Sequence, residues 1–496
     1  MGGRDGWEWS MRRGARYGWL GAILLGACAS NPLGGVFGGD DAAESQEAEA
    51  DGDGAEDDGR IAVLAAEDPL QPDLRFVGQA VAIPPAFANT DWTQPGGEPD
   101  HTMHNLAGPS TFGLAWRAKI GEGGDARSPL TAPPVVAGDM AYALDNEARV
   151  TAYDTQTGAV RWSTALTPDV SEDRPFYQVG RIGRVNADEL GFGGGIAIDG
   201  SRLFMVTGFG TAAAFDRGTG EVLWEARMPA PVRNPPTAAA GHVFAITTGN
   251  QAIALDQETG EVAWTYESFE ETARLLSSAS PAVEGGTVVV PFSSGEVVAL
   301  QAENGRPLWN ATVSRSSRMN AMADLNDIAG SPVLDRGAVF AISHSGQLSA
   351  IDLRTGREVW EVPVGGLNTP WIAGDTLFLV TLEGQLVALS RQDGAVRWVR
   401  QLDAYENPAK RKNPVTWSGP VMANGNLLLH SSRGGLLLAS AQDGSTVDLV
   451  PSEGGTLPPI VAGGTVYLLD GEGRLNAYRD DGAVQEDRRS WLPFRD

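Results

Sequence analysis

From about residue 111 onward, short apolar runs are separated by turns rich in Gly and Asp, and the same order of runs and turns returns many times. In the stretch 331–362 the pattern predicts strands over 332–334, 338–343, 347–352 and 357–362. Asp335-Arg336-Gly337, Ser345-Gly346 and Arg354-Thr355-Gly356 turn the chain between them. In the third run Leu348 and Ala350 alternate with Gln347 and Ser349, the period of two expected of a strand. Four short strands joined by tight turns predict one small antiparallel sheet per unit.

The passage from third to fourth strand carries the sharpest signal, Ala-x-Asp-x-x-Thr-Gly-x-x-x-Trp. Clear copies run from Ala152 to Trp162, Ala254 to Trp264 and Ala350 to Trp360; variants run from Ala214 to Trp224, Ala299 to Trp309 and Ala388 to Trp398. Eroded copies follow at Gly444 and Gly482, where Asp448 and Glu486 hold the Trp position. The turn glycines are spaced by 62, 40, 45, 51, 38, 50 and 38 residues, and a period of about 40–50 marks a propeller or solenoid. The glycine supplies a positive φ. The Trp is expected to bury a large ring between neighbouring blades, with its indole N–H docked on the turn.

The ends of the array predict how it closes. The last unit, 458–478, offers three strands and no outer strand with Trp. Near the other end, 114–120 resembles the outer strands 160–166 and 222–228 and carries Trp116. The N-terminal strand therefore completes the last blade of an all-β, eight-bladed propeller, and closure removes the sheet edges. Blade-docking positions are Trp116, Trp162, Trp224, Trp264, Trp309, Trp360 and Trp398. The expected organisation is a lipoprotein signal peptide over 1–27, an acidic tether over 28–60, an irregular extension over 61–110, the propeller over 111–482 and a tail over 483–496.

The signal is read from Arg12, Arg13 and Arg16, the short apolar run 19–25, and Leu25-Gly26-Ala27-Cys28. A basic start, a short apolar core and small residues before a cleavage point describe export. Leu-Gly-Ala-Cys resembles a bacterial lipobox, in which Cys28 becomes a lipidated first residue; Ala29 and Ser30 behind it favour the outer membrane. The plainer reading is a free thiol. Cys28 is the single cysteine, so no intramolecular disulfide forms. Between Asp40 and Gly59 stand ten acidic and no basic residues, a composition that stays solvated. The net charge of −26 argues against nucleic acid as a partner.

Little in the chain suggests catalysis. Gly191-Phe-Gly-Gly-Gly195 feeds a predicted strand rather than the helix a phosphate loop needs. Asp100-His-Thr-Met-His104 lacks a confident third metal ligand, and Asp51-Gly-Asp53-Gly-Ala55 departs from a calcium loop. No catalytic residue, cofactor or metal is expected. The longest connections are 168–195, 267–280, 314–330 and 401–417, and long loops on a regular scaffold usually carry function. One holds the basic cluster Lys410-Arg411-Lys412, which suits anionic headgroups or an acidic partner, or is simply a solvated loop. Two others combine apolar and charged residues: Arg274 with Leu275 and Leu276, and Asp324 and Asp327 within 320–330. Such mixtures suit a protein-binding patch or, alternatively, apolar side chains buried in blade packing.

The repeat resembles that of pyrroloquinoline-quinone-type propellers. Asn89-Thr-Asp-Trp-Thr-Gln-Pro-Gly-Gly97, Asp100-His-Thr-Met-His104, Leu325-Asn-Asp-Ile-Ala-Gly-Ser-Pro332, Phe340-Ala-Ile-Ser-His-Ser-Gly346 and Leu389-Ser-Arg-Gln-Asp-Gly394 make 92–479 similar to the BamB family of outer-membrane β-barrel assembly, in its alphaproteobacterial branch. The resemblance implies a non-catalytic, lipid-anchored scaffold at the outer membrane, facing the periplasm. It further implies binding to the POTRA domains of BamA and other assembly-complex subunits, and assistance to nascent outer-membrane β-barrel proteins. Arg274, Leu275 and Leu276 fall where one set of family contacts lies; Asp324 and Asp327 fall at the second. The alternatives are a quinone-dependent dehydrogenase, whose adjacent cysteine pair is missing here, and a ligand-sensing periplasmic propeller.

Overall fold

A computed structural model describes residues 70–121, 123–124, 129–166, 193–269, 279–314 and 326–482. The expected signal peptide, Cys28, the acidic tether, Arg274, Leu275, Leu276, Asp324 and the tail 483–496 lie outside the described residues. Eight four-stranded antiparallel sheets follow one another along the chain, each ordered from inner to outer strand. Seven are contiguous, at 135–165, 194–227, 237–267, 282–312, 333–362, 371–401 and 417–450. The eighth combines Ile460–Ala462, Thr465–Leu469 and Arg474–Arg479 with Gly113–Lys119. The chain forms an eight-bladed β-propeller closed by its N-terminal strand.

Blade 5 is built from Val333–Asp335, Ala338–Ile342, Leu348–Asp352 and Glu358–Val362, within a residue or two of the pattern. The expected alternation is absent from its third strand, where Leu348, Ser349, Ala350 and Ile351 are all buried. Inner strands pack between two neighbouring blades, so both faces lose water and apolar residues need not alternate. Alternation survives in the outer strands; in Val160–Ala165 and Val222–Arg227 exposed residues bracket a half-buried Trp.

Every position of the repeat has a physical task. The Ala lies across the strand pair from its own Trp: Ala152 opposite Trp162, Ala254 opposite Trp264, Ala350 opposite Trp360. A small side chain there leaves room for the indole. The Asp accepts hydrogen bonds from the Thr backbone N–H and hydroxyl, as Asp256 does from Thr259. The indole N–H of each Trp donates to the carbonyl just after the first turn residue of the next blade, at 2.6–3.2 Å. That turn residue is Asp154, Asp216, Asp256 or Asp352 at four junctions and Gln301, Ser390 or Ser440 at the other three. The turn glycine has φ of 69–74°, and a Cβ added there would lie 2.5–2.8 Å from the preceding blade's indole. One glycine thus satisfies a backbone requirement and a packing requirement together. At blade 7 Asp448 stands at the Trp position and Leu438, not Ala, lies opposite.

The extension before the propeller is irregular yet specifically placed. Among its described residues the one helical turn is the 3-10 segment Leu74–Phe76. Residues 89–106 then circle the axis and meet the innermost strand of every blade in turn. Gly463 donates to Asn89 (2.8 Å), Trp92 pairs with Val136, and Ile198 donates to Thr93 (2.8 Å). Gln94 bridges Ile198 and Ala238. Val283 donates to Pro99 (2.7 Å) and Leu334 to Asp100 (2.9 Å). Trp371 donates to the His104 carbonyl (2.7 Å), and Leu106 to Met422 (3.2 Å). Each innermost strand has backbone groups turned to the axis that need partners. The girdle partners such groups at seven blades, while at blade 6 the contact is made by the Trp371 indole. Positive φ at Gly97, His101 and His104 bends it around the circle.

Candidate functional site

The blade topology sorts the surface into two rims. Turn glycines and the start of the girdle share one, where Asp91 accepts from Gly138 (2.7 Å) and Arg75 pairs with Asp393. Outer strands end at the opposite rim, so the connections 166–193, 268–281, 313–332 and 402–416 all join neighbouring blades there.

Of the residues proposed for partner binding, the described one is Asp327. It is 3% exposed, and its carbonyl accepts from the His344 N–H at 2.9 Å. Next to it, Ile328 donates to Phe292 (3.4 Å) and bridges Ser343. The segment 326–330 therefore stitches blade 4 to blade 5, and Ile328 and Ala329 are buried. The two histidines considered as metal ligands serve the girdle instead. His101 Nδ1 lies 2.7 Å from the Pro332 carbonyl, which fixes that nitrogen as the donor. Burial pushes His101 down to about 4, so the ring is neutral at pH 7. His104 lies 3.9 Å from Asp335.

The basic cluster is part of a small hairpin, Tyr405–Asn407 with Lys412–Pro414, where a plain loop was expected. Asn407 caps the turn by accepting from the Lys410 N–H (3.1 Å), and Asn413 donates to Glu406. Arg433 supports the hairpin base through Pro414 (3.2 Å). Residues 407–414 are exposed throughout.

Below the long-connection rim lies a cavity of ≈ 390 Å³ at blades 6 to 8. Girdle residues Trp92, Gly96 and His101 contribute to its lining, with Trp371 and Trp417 among the others. Trp92 and Trp371 are stacked, with ring centroids 6.3 Å apart and planes at 14°. The indole N–H groups of Trp371 and Trp417 are held by the carbonyls of His104 and Asp403. The lining residues include no Asp, Glu, Lys or Arg. Sequence reasoning missed this site, although a signal existed: between residues 92 and 417, Trp92, Trp371 and Trp417 are the tryptophans that stand off the repeat position.

Comparison with known proteins bears on this architecture. The family model for the outer membrane protein assembly factor BamB matches residues 109–191 and 180–400. The Escherichia coli K12 outer membrane protein assembly factor BamB is 29% identical over 377 residues, covering 75% of this chain and 90% of that protein. The Yersinia pestis BamB is 26% identical over 366 residues, covering 73% and 88%. Among solved structures, Moraxella catarrhalis BamB superposes with a TM-score of 0.60 at 19% identity, over 74% of this chain and all of that one. A quinohemoprotein alcohol dehydrogenase from Comamonas testosteroni gives the same TM-score at 14% identity, over 81% and 82%; at such identities the likeness is one of fold. With its blades matched over 109–400, this chain belongs to the family of the outer membrane protein assembly factor BamB.

Proposed function

We propose that the protein is a non-catalytic scaffold for inserting β-barrel proteins into the outer membrane. In this reading it is held there by lipid on Cys28, faces the periplasm and docks on the POTRA domains of BamA. The observation that carries it is the family match, which runs from residue 109 to 400, across the closing strand, blades 1 to 6 and the connections between them. The segments holding Arg274, Leu275 and Leu276, and Asp324 and Asp327, join blade 3 to blade 4 and blade 4 to blade 5. Both leave and re-enter at the same rim on either side of one blade, an arrangement that suits a single docking patch. The other assembly subunits and the nascent barrels are the remaining partners of this reading.

The dehydrogenase alternative fits the residues poorly. The cavity lining offers neither a carboxylate for calcium nor a cation for an acidic quinone, and the chain has one cysteine. The docking test is co-purification with BamA from detergent-solubilised outer membrane. Arg274→Glu combined with Asp327→Ala is expected to abolish it. Because Asp327 is buried, Arg274→Glu alone is measured beside the pair, with thermal melts of both. Full retention by folded variants would move the contact to another loop.

A further inference from the structure

Seven tryptophans of the propeller are accounted for by the blade junctions; three are not, and Trp92, Trp371 and Trp417 converge on the one cavity described above. Their placement is costly to build. Trp371 and Trp417 are 6% and 5% exposed, and each has its N–H tied to a backbone carbonyl. Such anchoring fixes the rings within an uncharged wall. At ≈ 390 Å³ the cavity lies near the lower end of the about 300–1,000 Å³ typical of ligand sites.

The apolar surface does not stop at the cavity. Leu367 and Leu382, both part of its lining, are 51% and 37% exposed, so an apolar strip continues outward onto the rim. The hairpin Tyr405–Asn407/Lys412–Pro414 runs directly into Val415, Thr416 and Trp417 of the cavity wall. Lys412 is three residues from Val415, within about 10 Å along an extended chain. Lys410, Arg411 and Lys412 are consecutive and exposed, and none forms an ion pair among the described residues. In a chain with 63 acidic and 37 basic residues, three consecutive exposed cations make a local reversal of charge. Within the hairpin the acidic residue is Glu406, which accepts from Asn413, and the exposed Asp403 precedes it in the chain.

We infer that blades 6 and 7 form a second binding site, for an acidic peptide segment that places a large apolar side chain in the tryptophan-walled cavity and its carboxylates along Lys410, Arg411 and Lys412. An uncharged aromatic pit selects the anchor side chain, and the cation ridge selects the sign of the flanking charges. A wholly enclosed small molecule would not need the exposed leucines at the mouth; a chain passing over the rim does. The site is separate from the segments around blade 4 and does not depend on the BamA docking reading.

The test uses the full-length protein and short fluorescein-labelled peptides, read by anisotropy. One peptide has a phenylalanine flanked by Asp-Glu pairs; a second replaces the phenylalanine with alanine; a third replaces the acidic residues with lysine. The first is expected to bind, and the other two to bind at least about tenfold more weakly. Lys410→Glu, Arg411→Glu and Lys412→Glu together sit on exposed positions and should leave the fold intact. They should weaken the first peptide by about tenfold and reduce its salt dependence. Leu382→Asp should weaken it at the cavity mouth while leaving the thermal melt unchanged. Equal binding of the acidic and lysine peptides, or indifference to the triple variant, overturns the proposal. So does hairpin-dependent sedimentation with phosphatidylglycerol vesicles in the absence of peptide binding, which would reassign the cations to lipid.

Discussion

Trp116 lies directly opposite Ala477 in the strand pair that closes the ring, and its indole donates to the Thr155 carbonyl of blade 1 at 2.8 Å. The first and last parts of the propeller thus reproduce the Ala–Trp pairing found inside every contiguous blade that keeps its Trp. Closure uses the same contact as propagation, which is why the circle has no special seam at blade 8. The irregular junction is one blade earlier, where Asp448 faces Leu438.

This relationship predicts a difference between two chemically identical substitutions. Trp116→Ala and Trp309→Ala each remove a docked indole, and each should cost about 3–5 kcal/mol. Trp116→Ala alone also loosens the strand that covers Arg474–Arg479. It should therefore expose a sheet edge and promote association. Denaturant titration gives the first quantity and size-exclusion chromatography the second; monomeric Trp116→Ala protein would show that closure does not depend on the wedge.

The double role of the turn glycine separates two further variants. At Gly260 a Cβ meets Trp224 at 2.5 Å and φ is +74°. At Gly241 φ is +77° and nothing lies within 4 Å. Gly241→Ala should cost only the backbone term, about 1–2 kcal/mol. Gly260→Ala should add an overpacking cost of about 1–3 kcal/mol. Equal melting temperatures for the two would mean that the indole yields freely.

The girdle can be loosened at one residue. Gln94 is 1% exposed and makes three hydrogen bonds to blades 2 and 3. Gln94→Ala leaves buried backbone groups without partners, at about 1–3 kcal/mol for each. Limited proteolysis should then cut within 89–106 faster than in the parent protein, while the blades remain intact.

Two groups of residues set separate acid windows. His101 titrates near 4 in the fold, below its ordinary 6.5, because burial disfavours the imidazolium. Above pH 6.5 it is neutral in both states and its contribution is complete. As pH falls from 6.5 toward 4 the unfolded chain takes up a proton that the fold refuses, removing about 3 kcal/mol. Buried His430 is shifted the same way. His101→Asn keeps a donor for Pro332 and tolerates the positive φ, so it should flatten the stability change between pH 7 and 5. An unchanged slope would assign it to other groups. The turn aspartates act lower: hydrogen bonds from Arg161 and Thr157 hold Asp154 at about 2. Its stabilisation is present above the ordinary 3.8 and fades toward 2.

The architecture was legible because it repeats. Ala, Asp, Gly and Trp at constant spacing each report a local or nearest-neighbour requirement, and eight copies average away the irregularities of any single one. Even the closing strand was readable, since Trp116 sits in a segment that looks like its counterparts elsewhere. Two features were not. The path of 89–106 follows no period, because each residue answers a different blade, and only the assembled circle places Asn89, Gln94, Asp100 and His104 beside their partners. The cavity was equally hidden: Trp92, Trp371 and Trp417 are far apart in sequence and become one wall only when the girdle is laid against blades 6 and 7. Repeated local contacts are encoded within a few dozen residues of chain, whereas a site made once, from the axis outward, exists only after closure has brought those distant segments together.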